Sequence, residues 1–207
     1  MAIFKLNKFE LCSNLLKNKI PVRSNNKKCI LIGSNKSLLS GLYGNYINNA
    51  NCSVIRINNE PDPTYYKNYG QKTTLFIGSP MSNISKLRYK YQNKIFITNL
   101  YLDICNGWNV TNYKPKSCKW VTTGFLSICI LATIFDEIEL FGFGFTSDQH
   151  HKTFHYLNGN SYFSEIHDLG LEDSWINFWQ KKYKGKIYRG EEVHDELRCD
   201  NTSKSRI

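Results

Sequence analysis

Four of the five histidines, His150, His151, His155 and His167, fall within eighteen residues of a 207-residue chain. Imidazole titrates near neutral pH, so such groups can take a proton from a hydroxyl or steady a phosphate. His151 and His155, four apart, could also share a zinc ion. The stretch from Gln149 to Phe163 is polar and loop-like, with no cysteine close in sequence. The residues alone leave three readings: solvated histidines, a zinc site, or phosphate binding with proton transfer. Asp136, Glu137 and Glu139 form a second ionisable group. Glu137 and Glu139 would share one face of a strand, as a rim feature as readily as a metal site, and no Asp-x-Asp stands in a suitable loop. A metal-independent site is therefore expected. Two turns could offer backbone amides to an anion: Gly33-Ser34-Asn35 and Thr122-Thr123-Gly124. Neither is a P-loop or a GxGxxG fingerprint. Gly142-Phe143-Gly144 begins like such a fingerprint but runs into TSDQHHKTFHY instead of a helix, and is set aside.

These groups need a scaffold, and the apolar patterning supplies one. Short apolar runs at Cys29–Ile32, Cys52–Ile57, Thr73–Ile77, Lys94–Thr98, Glu137–Phe145 and Lys186–Tyr188 read as strands. Helical patterning covers residues 8–20, Ser37–Ile47 (weakened by Gly41 and Gly44), Met81–Tyr91, Thr123–Phe135 and Leu169–Tyr183. Glu60–Gly70 reads as a Pro-containing loop, residues 100–120 as irregular, and the tail from Glu191 as polar and frayed. Strands alternating with helices predict an α/β chain, Rossmann-like, with a largely parallel sheet and ligands at the carboxyl ends of its strands. Three segments are expected: an N-terminal helical segment (1–27), one domain (28–190) and a polar tail (191–207).

Composition narrows the class. Hydrophobic residues make up 41% and charged residues 21%, which excludes a wholly disordered chain. The formal net charge of +10 favours anionic partners, yet the lysines are too dispersed for a nucleic-acid arm, so no nucleic acid is expected. The weakly polar run from Val121 to Phe135 is shorter than the ~20 residues that span a bilayer. Seven widely spaced cysteines without a CxxC pair read as free thiols in a reducing compartment. The expectation is a soluble, cytoplasmic protein able to touch a membrane peripherally.

Four segments, taken together, resemble the sialyltransferases of glycosyltransferase family 29. Cys29–Thr74 is similar to the family's large sialyl motif: a Cys-led strand into Gly, a second strand with Arg56-x-Asn58, then Gly70-x-Lys-Thr-Thr. WVTTGFLSICILATIFDEIELFGFGF (Trp120 to Phe145) resembles the small motif. His155-Tyr156 looks like the third motif, and HDLGLE, with His167 and Glu172, like the last. All four stand in family order.

The resemblance implies a single-domain variant of the GT-A architecture and a CMP-linked acidic sugar donor. By the same resemblance Asn58 would contact the ribose or base. Gly33, Ser34 and Asn35 would form the turn beside the nucleotide, and Thr122, Thr123 and Gly124 would line the CMP pocket. His155 and Tyr156 would sit by the phosphate, His167 would be the general base, and Glu172 would serve a local hydrogen bond or helix cap. No metal or other cofactor is implied, and the acceptor would be a glycan or glycolipid hydroxyl. The family has Asn where Ser34 stands, which leaves CMP-Kdo beside CMP-sialic acid as donor. The family's usual disulfide would join Cys29 to position 135, where this chain has Phe135; the anchor and stem of Golgi members are likewise expected to be absent. Two other classes are a non-catalytic nucleotide- or nucleic-acid-binding module and a zinc hydrolase built on the histidines.

Overall fold

Strand β1 (Lys28–Ile32) is buried from Cys29 onward. A strand apolar on both faces needs a covering layer on each side, which is the situation of a parallel sheet. The computed structural model describes residues 27–58, 60–78, 94–96, 122–132, 134–143 and 187–197. β1 lies between β2 (Ser53–Ile57) and β5 (Glu137–Phe141), with β3 (Leu75–Gly78), β4 (Lys94–Phe96) and β6 (Ile187–Arg189) outside them. The order is β4-β3-β2-β1-β5-β6, and every neighbouring pair is parallel. The chain thus adopts the α/β, Rossmann-like class its patterning predicts. The winding reverses between β1 and β5.

On one face Ile30, Ile32, Val54 and Phe141 pack with Leu38, Tyr43, Ile47 and Tyr69. These last come from the 3-10 turn Lys36–Ser40, from helix α1 (Gly44–Asn49) with its N-cap Tyr43, and from helix α2 (Tyr66–Tyr69). Burying each aliphatic side chain of this kind contributes about 1.5–3 kcal/mol. Helix α3 (Thr123–Leu131) packs against β2 and β3 from the other face, as the right-handed return from β4 to β5 requires. Phe125 to Leu131 are all buried, so this helix is covered on every side. No helix among the described residues is long and apolar enough to cross a membrane.

The helix expected over Ser37–Ile47 is split. Residues 36–40 make a 3-10 turn, Gly41 is extended, and α1 begins only at Gly44. A side chain from α2 explains the break. Asn68 Nδ2 donates to Leu39 O at 3.2 Å and to Gly41 O at 2.8 Å, taking carbonyls that a continuous helix would have used. The Glu60–Gly70 loop carries order of its own: Asp62 caps a 3-10 turn at Pro63–Tyr65, which runs into α2. Strand β5 and helix α3 end earlier than predicted, at Phe141 and Leu131. The tail from Glu191 does not fray at its start: helix α4 (Gly190–Val193) and a 3-10 turn at Asp195–Leu197 pack on the sheet, and Leu42 N–H donates to Leu197 O. The expected helices at residues 8–20, Met81–Tyr91 and Leu169–Tyr183 lie outside the described residues, as do residues 100–120.

Arg56, one of the residues that carried the family resemblance, is a fastening of the fold. It is 2% exposed and donates to Tyr69 O and Gly70 O, each at 2.8 Å, and to Thr73 Oγ1 at 3.0 Å. Its guanidinium also lies 5.4 Å from the Tyr69 ring centre. Asn48 Oδ1 accepts from the amides of Gln71 and Lys72, and Thr74 Oγ1 accepts from Val54 N–H. The Gly70–Thr74 motif is thus a buckle between α2 and β3. Arg56→Met leaves buried carbonyls without donors and is expected to lower the unfolding free energy by about 2–4 kcal/mol, read from urea melts, with the helical signal retained.

Candidate functional site

In a doubly wound sheet the ligand crevice opens at the carboxyl ends of the strands where the order reverses. Here that is the end of β1 and β5, and the chain is unusually close-packed there. Gly33 N–H donates to Phe141 O at 2.8 Å, and Asn35 N–H to Gly142 O at 3.0 Å. A Cβ on Gly33 would lie 2.4 Å from Gly142 O, so only glycine admits this approach. Gly142 has φ of 72°, a left-handed turn that ends β5, and a Cβ there would meet Leu38 at 2.6 Å.

That turn delivers Phe143 between the two sequence-nominated segments. Its Cε2 would be 3.2 Å from a Cβ on Gly33, and its Cε1 3.1 Å from one on Gly124. The Gly33-Ser34-Asn35 turn and the start of α3 therefore flank one aromatic ring. Asn35 Oδ1 caps the 3-10 turn by accepting from Ser37 N–H at 2.9 Å. Thr122 Oγ1 caps α3 by accepting from Phe125 N–H at 3.0 Å. The amides of Thr123 and Gly124 precede the first intrahelical bonds and face no helical carbonyl. Asn58 follows β2 in a left-handed conformation, φ 61°, which Asn tolerates better than most residues. Ser34, Asn35, Asn58, Thr122, Thr123 and Gly124 are all partly exposed, while Gly33 is buried. His155, Tyr156 and His167, with Glu172 and the neighbouring histidines, lie outside the described residues.

Sequence reasoning set Gly142-Phe143 aside because no helix follows. The structure puts that pair between the two turns, and the signal that could have found it is a Gly directly ending a buried strand at the switch point. Glu191, assigned to a frayed tail, is also missed: it is 7% exposed and accepts from Gly142 N–H at 2.6 Å.

The carboxylate cluster resolves differently. Glu137 and Glu139 do share a face, and the Lys28 ammonium stands 3.0 Å from each. Glu139 is fully buried, with Tyr46 Oη donating at 2.8 Å and His194 Nε2 at 2.8 Å from its other oxygen. Lys28 also donates to Tyr188 Oη at 2.6 Å, and Tyr188 donates to Glu137. Asp136 pairs instead with exposed Lys27 at 3.1 Å. Burial opposes the Lys28 charge, but its bonds to Tyr188, Glu137 and Glu139 outweigh that and hold its pKa above the usual lysine range. Burial raises Glu137 less than the hydrogen bonds from Tyr188 and Lys28 lower it, so it stays below the usual carboxylate range. Burial, reinforced by the bond to Glu137, pushes the Tyr188 phenol up to about 12. Cys29 is a free, buried thiol whose pKa burial drives up, and Phe135 is buried as well.

The family model for "Glycosyltransferase family 29 (sialyltransferase)" matches residues 3–102 and 82–184 of the chain. The chain belongs to glycosyltransferase family 29. Among curated relatives of this family it is 22% identical over 204 residues to CMP-N-acetylneuraminate-beta-galactosamide-alpha-2,3-sialyltransferase 2 of Mus musculus, covering 79% of this chain and 57% of that protein. It is 21% identical over 211 residues to the lactosylceramide alpha-2,3-sialyltransferase of Mus musculus, covering 72% of this chain and 50% of that one. The chain thus spans about half the length of the curated relatives it matches. In fold it is similar to a mammalian sialyltransferase (TM-score 0.52, 18% identity, 88% of this chain and 79% of that one). It is also similar to the monofunctional alpha-2,3-sialyltransferase Cst-I of Campylobacter jejuni (TM-score 0.54, 15% identity, 88% and 80%). The family's sheet is the frame on which the site just described is built.

The polar cluster under that site sets an alkaline limit on stability. Lys28 and Tyr188 both have native pKa values above their ordinary ones, so the native state keeps protons that the unfolded chain releases. Their stabilisation is complete below pH ~10 and is lost as pH rises through the native values. The urea midpoint is expected to fall between pH 10 and 12, and to fall less steeply in Tyr188→Phe.

Proposed function

We propose that the chain is an inverting, metal-independent glycosyltransferase. It moves sialic acid, or a related acidic sugar such as Kdo, from its CMP donor to a hydroxyl of a glycan or glycolipid. The observation that supports this reading is the meeting of the Gly33-Ser34-Asn35 turn with the start of α3, where the Thr123 and Gly124 amides lie, around Phe143 at the switch point. Family membership supplies the class of donor.

The chemistry asks little of the protein beyond positioning. The acceptor oxygen attacks the anomeric carbon as the bond to the CMP phosphate oxygen breaks, and the electron pair leaves with the phosphate. One displacement of this kind inverts the anomeric centre. The charge gathering on the phosphate needs donors. The free amides at the start of α3 and the partial positive charge of its N-terminus can supply them. His155 and Tyr156 are proposed to add an imidazole and a phenol. Asn35 spends Oδ1 on its cap, so a nucleotide would meet its amide nitrogen, and Asn58 would reach the ribose or base from the end of β2. His167 is proposed as the base that takes the acceptor's proton. The cationic balance of +10 draws in an anionic donor.

CMP release from CMP-sialic acid and from CMP-Kdo, with and without a galactoside panel, tests the reading. Acceptor-stimulated release from one donor is expected, falling about 10²–10⁴-fold in His167→Ala. No release from either donor, together with no calorimetric binding of CMP, would overturn it in favour of a binding module on the same fold.

A further inference from the structure

Helix α4 follows β6 at the far side of the switch point, and its Glu191 is buried although carboxylates ordinarily stay in water. Oε1 accepts from Gly142 N–H at 2.6 Å and from Ser37 Oγ at 3.2 Å. These two bonds join the turn that ends β5 to the 3-10 turn that follows Asn35. Gly142 is the left-handed turn that places Phe143 between Gly33 and Gly124. Ser37 belongs to the turn that Asn35 caps. Burial pushes the Glu191 carboxyl up, opposed by the bonds from the amides of Gly142 and of Glu191 itself and from Ser37. A buried carboxylate at neutral pH is a cost to folding, and a cheaper residue would serve if only packing mattered.

The segment bearing Glu191 has its own anchorage. His194 contacts Glu139 and stacks parallel to Phe141, with ring centres 6.3 Å apart and planes 11° apart. Its ring also lies 4.1 Å from that of Tyr46. Leu197 packs on the core and accepts from Leu42 N–H at 2.7 Å. Glu191 is therefore presented to Gly142 by a docked strap.

We propose that Glu191 is a positioning residue of the donor site, holding the Gly142 turn and the Asn35 turn in one register so that the nucleotide meets a preformed pocket. The inference rests on the donor-site reading above. Preorganisation of this kind acts on affinity, because a loose turn must be ordered when the ligand binds.

Calorimetric titration of the full chain with CMP, beside urea melts of each variant, separates this role from a structural one. Glu191→Ala removes the acceptor, and Glu191→Asp withdraws it by one methylene; each is expected to raise the CMP Kd about tenfold. Glu191→Gln keeps a carbonyl oxygen at the same reach and is expected to bind within about twofold of wild type. Tyr46→Phe removes one hydrogen bond from the Glu139 cluster and leaves Glu191, both turns and the strap's bonds through His194 and Leu197 in place. It is expected to lose stability and keep its CMP affinity. If Glu191→Ala does not fold, the Asp and Gln pair decides. Wild-type affinity in the Ala or Asp variant overturns the proposal and leaves the donor site standing. Equal loss in Glu191→Gln and Tyr46→Phe overturns it as a general effect of stability. A wild-type chain that binds no CMP overturns both the proposal and the donor-site reading.

Discussion

The backbone of Gly33 lies against that of Gly142, and the rest of the site depends on that approach. Two parallel strands seldom come so close beyond their ends, because a side chain on either would separate them. With no Cβ on either residue, Gly33 N–H can reach Phe141 O and Asn35 N–H can reach Gly142 O. The sheet's hydrogen bonding thus extends past β1 and β5 into the loops. Beside it stand the partly exposed Ser34, Asn35, Thr122, Thr123 and Gly124.

A second constraint sits two residues below. Glu139 is fully buried among apolar strands, and its charge is tolerable only because Lys28, Tyr46 and His194 converge on it from three elements. Ion pairs of this kind add little net stability, yet losing one partner is costly. The cluster therefore dictates which elements pack together more than how tightly. It joins β1 to β5 and β6, and it reaches out to α1 and to the segment after α4. The same segment carries Glu191 to the Gly142 turn, so the ionic cluster and the site share one mechanical element.

Much of this was legible from residue pattern. The apolar run Cys29–Ile32 and the apolar stretch behind Thr122 were legible as a strand and a helix, because burial on both faces and capping leave strong local signatures. The split of the predicted Ser37–Ile47 helix was not legible. Its cause, the Asn68 amide on the carbonyls of Leu39 and Gly41, comes from residues almost thirty positions away. Arg56 and the Gly70–Thr74 run were legible as a motif and illegible as a fastening, since the same residue types serve a ligand or a carbonyl equally well. Glu137 and Glu139 looked like a rim because the sequence does not display Lys28 between them. Glu191 looked like tail because a polar C-terminal stretch carries no periodicity.

Residue pattern alone was enough for the class of fold and for the family. Those depend on local composition, on the period of burial and on motifs in order. The tertiary structure set the flanking of one phenylalanine by the two turns, and the left-handed glycine at the end of β5 that delivers it. It also brought a glutamate from the last described segment to the amide of that glycine. Those are contacts between residues far apart in sequence, made by backbone atoms and single side chains, and spacing along a chain does not encode them.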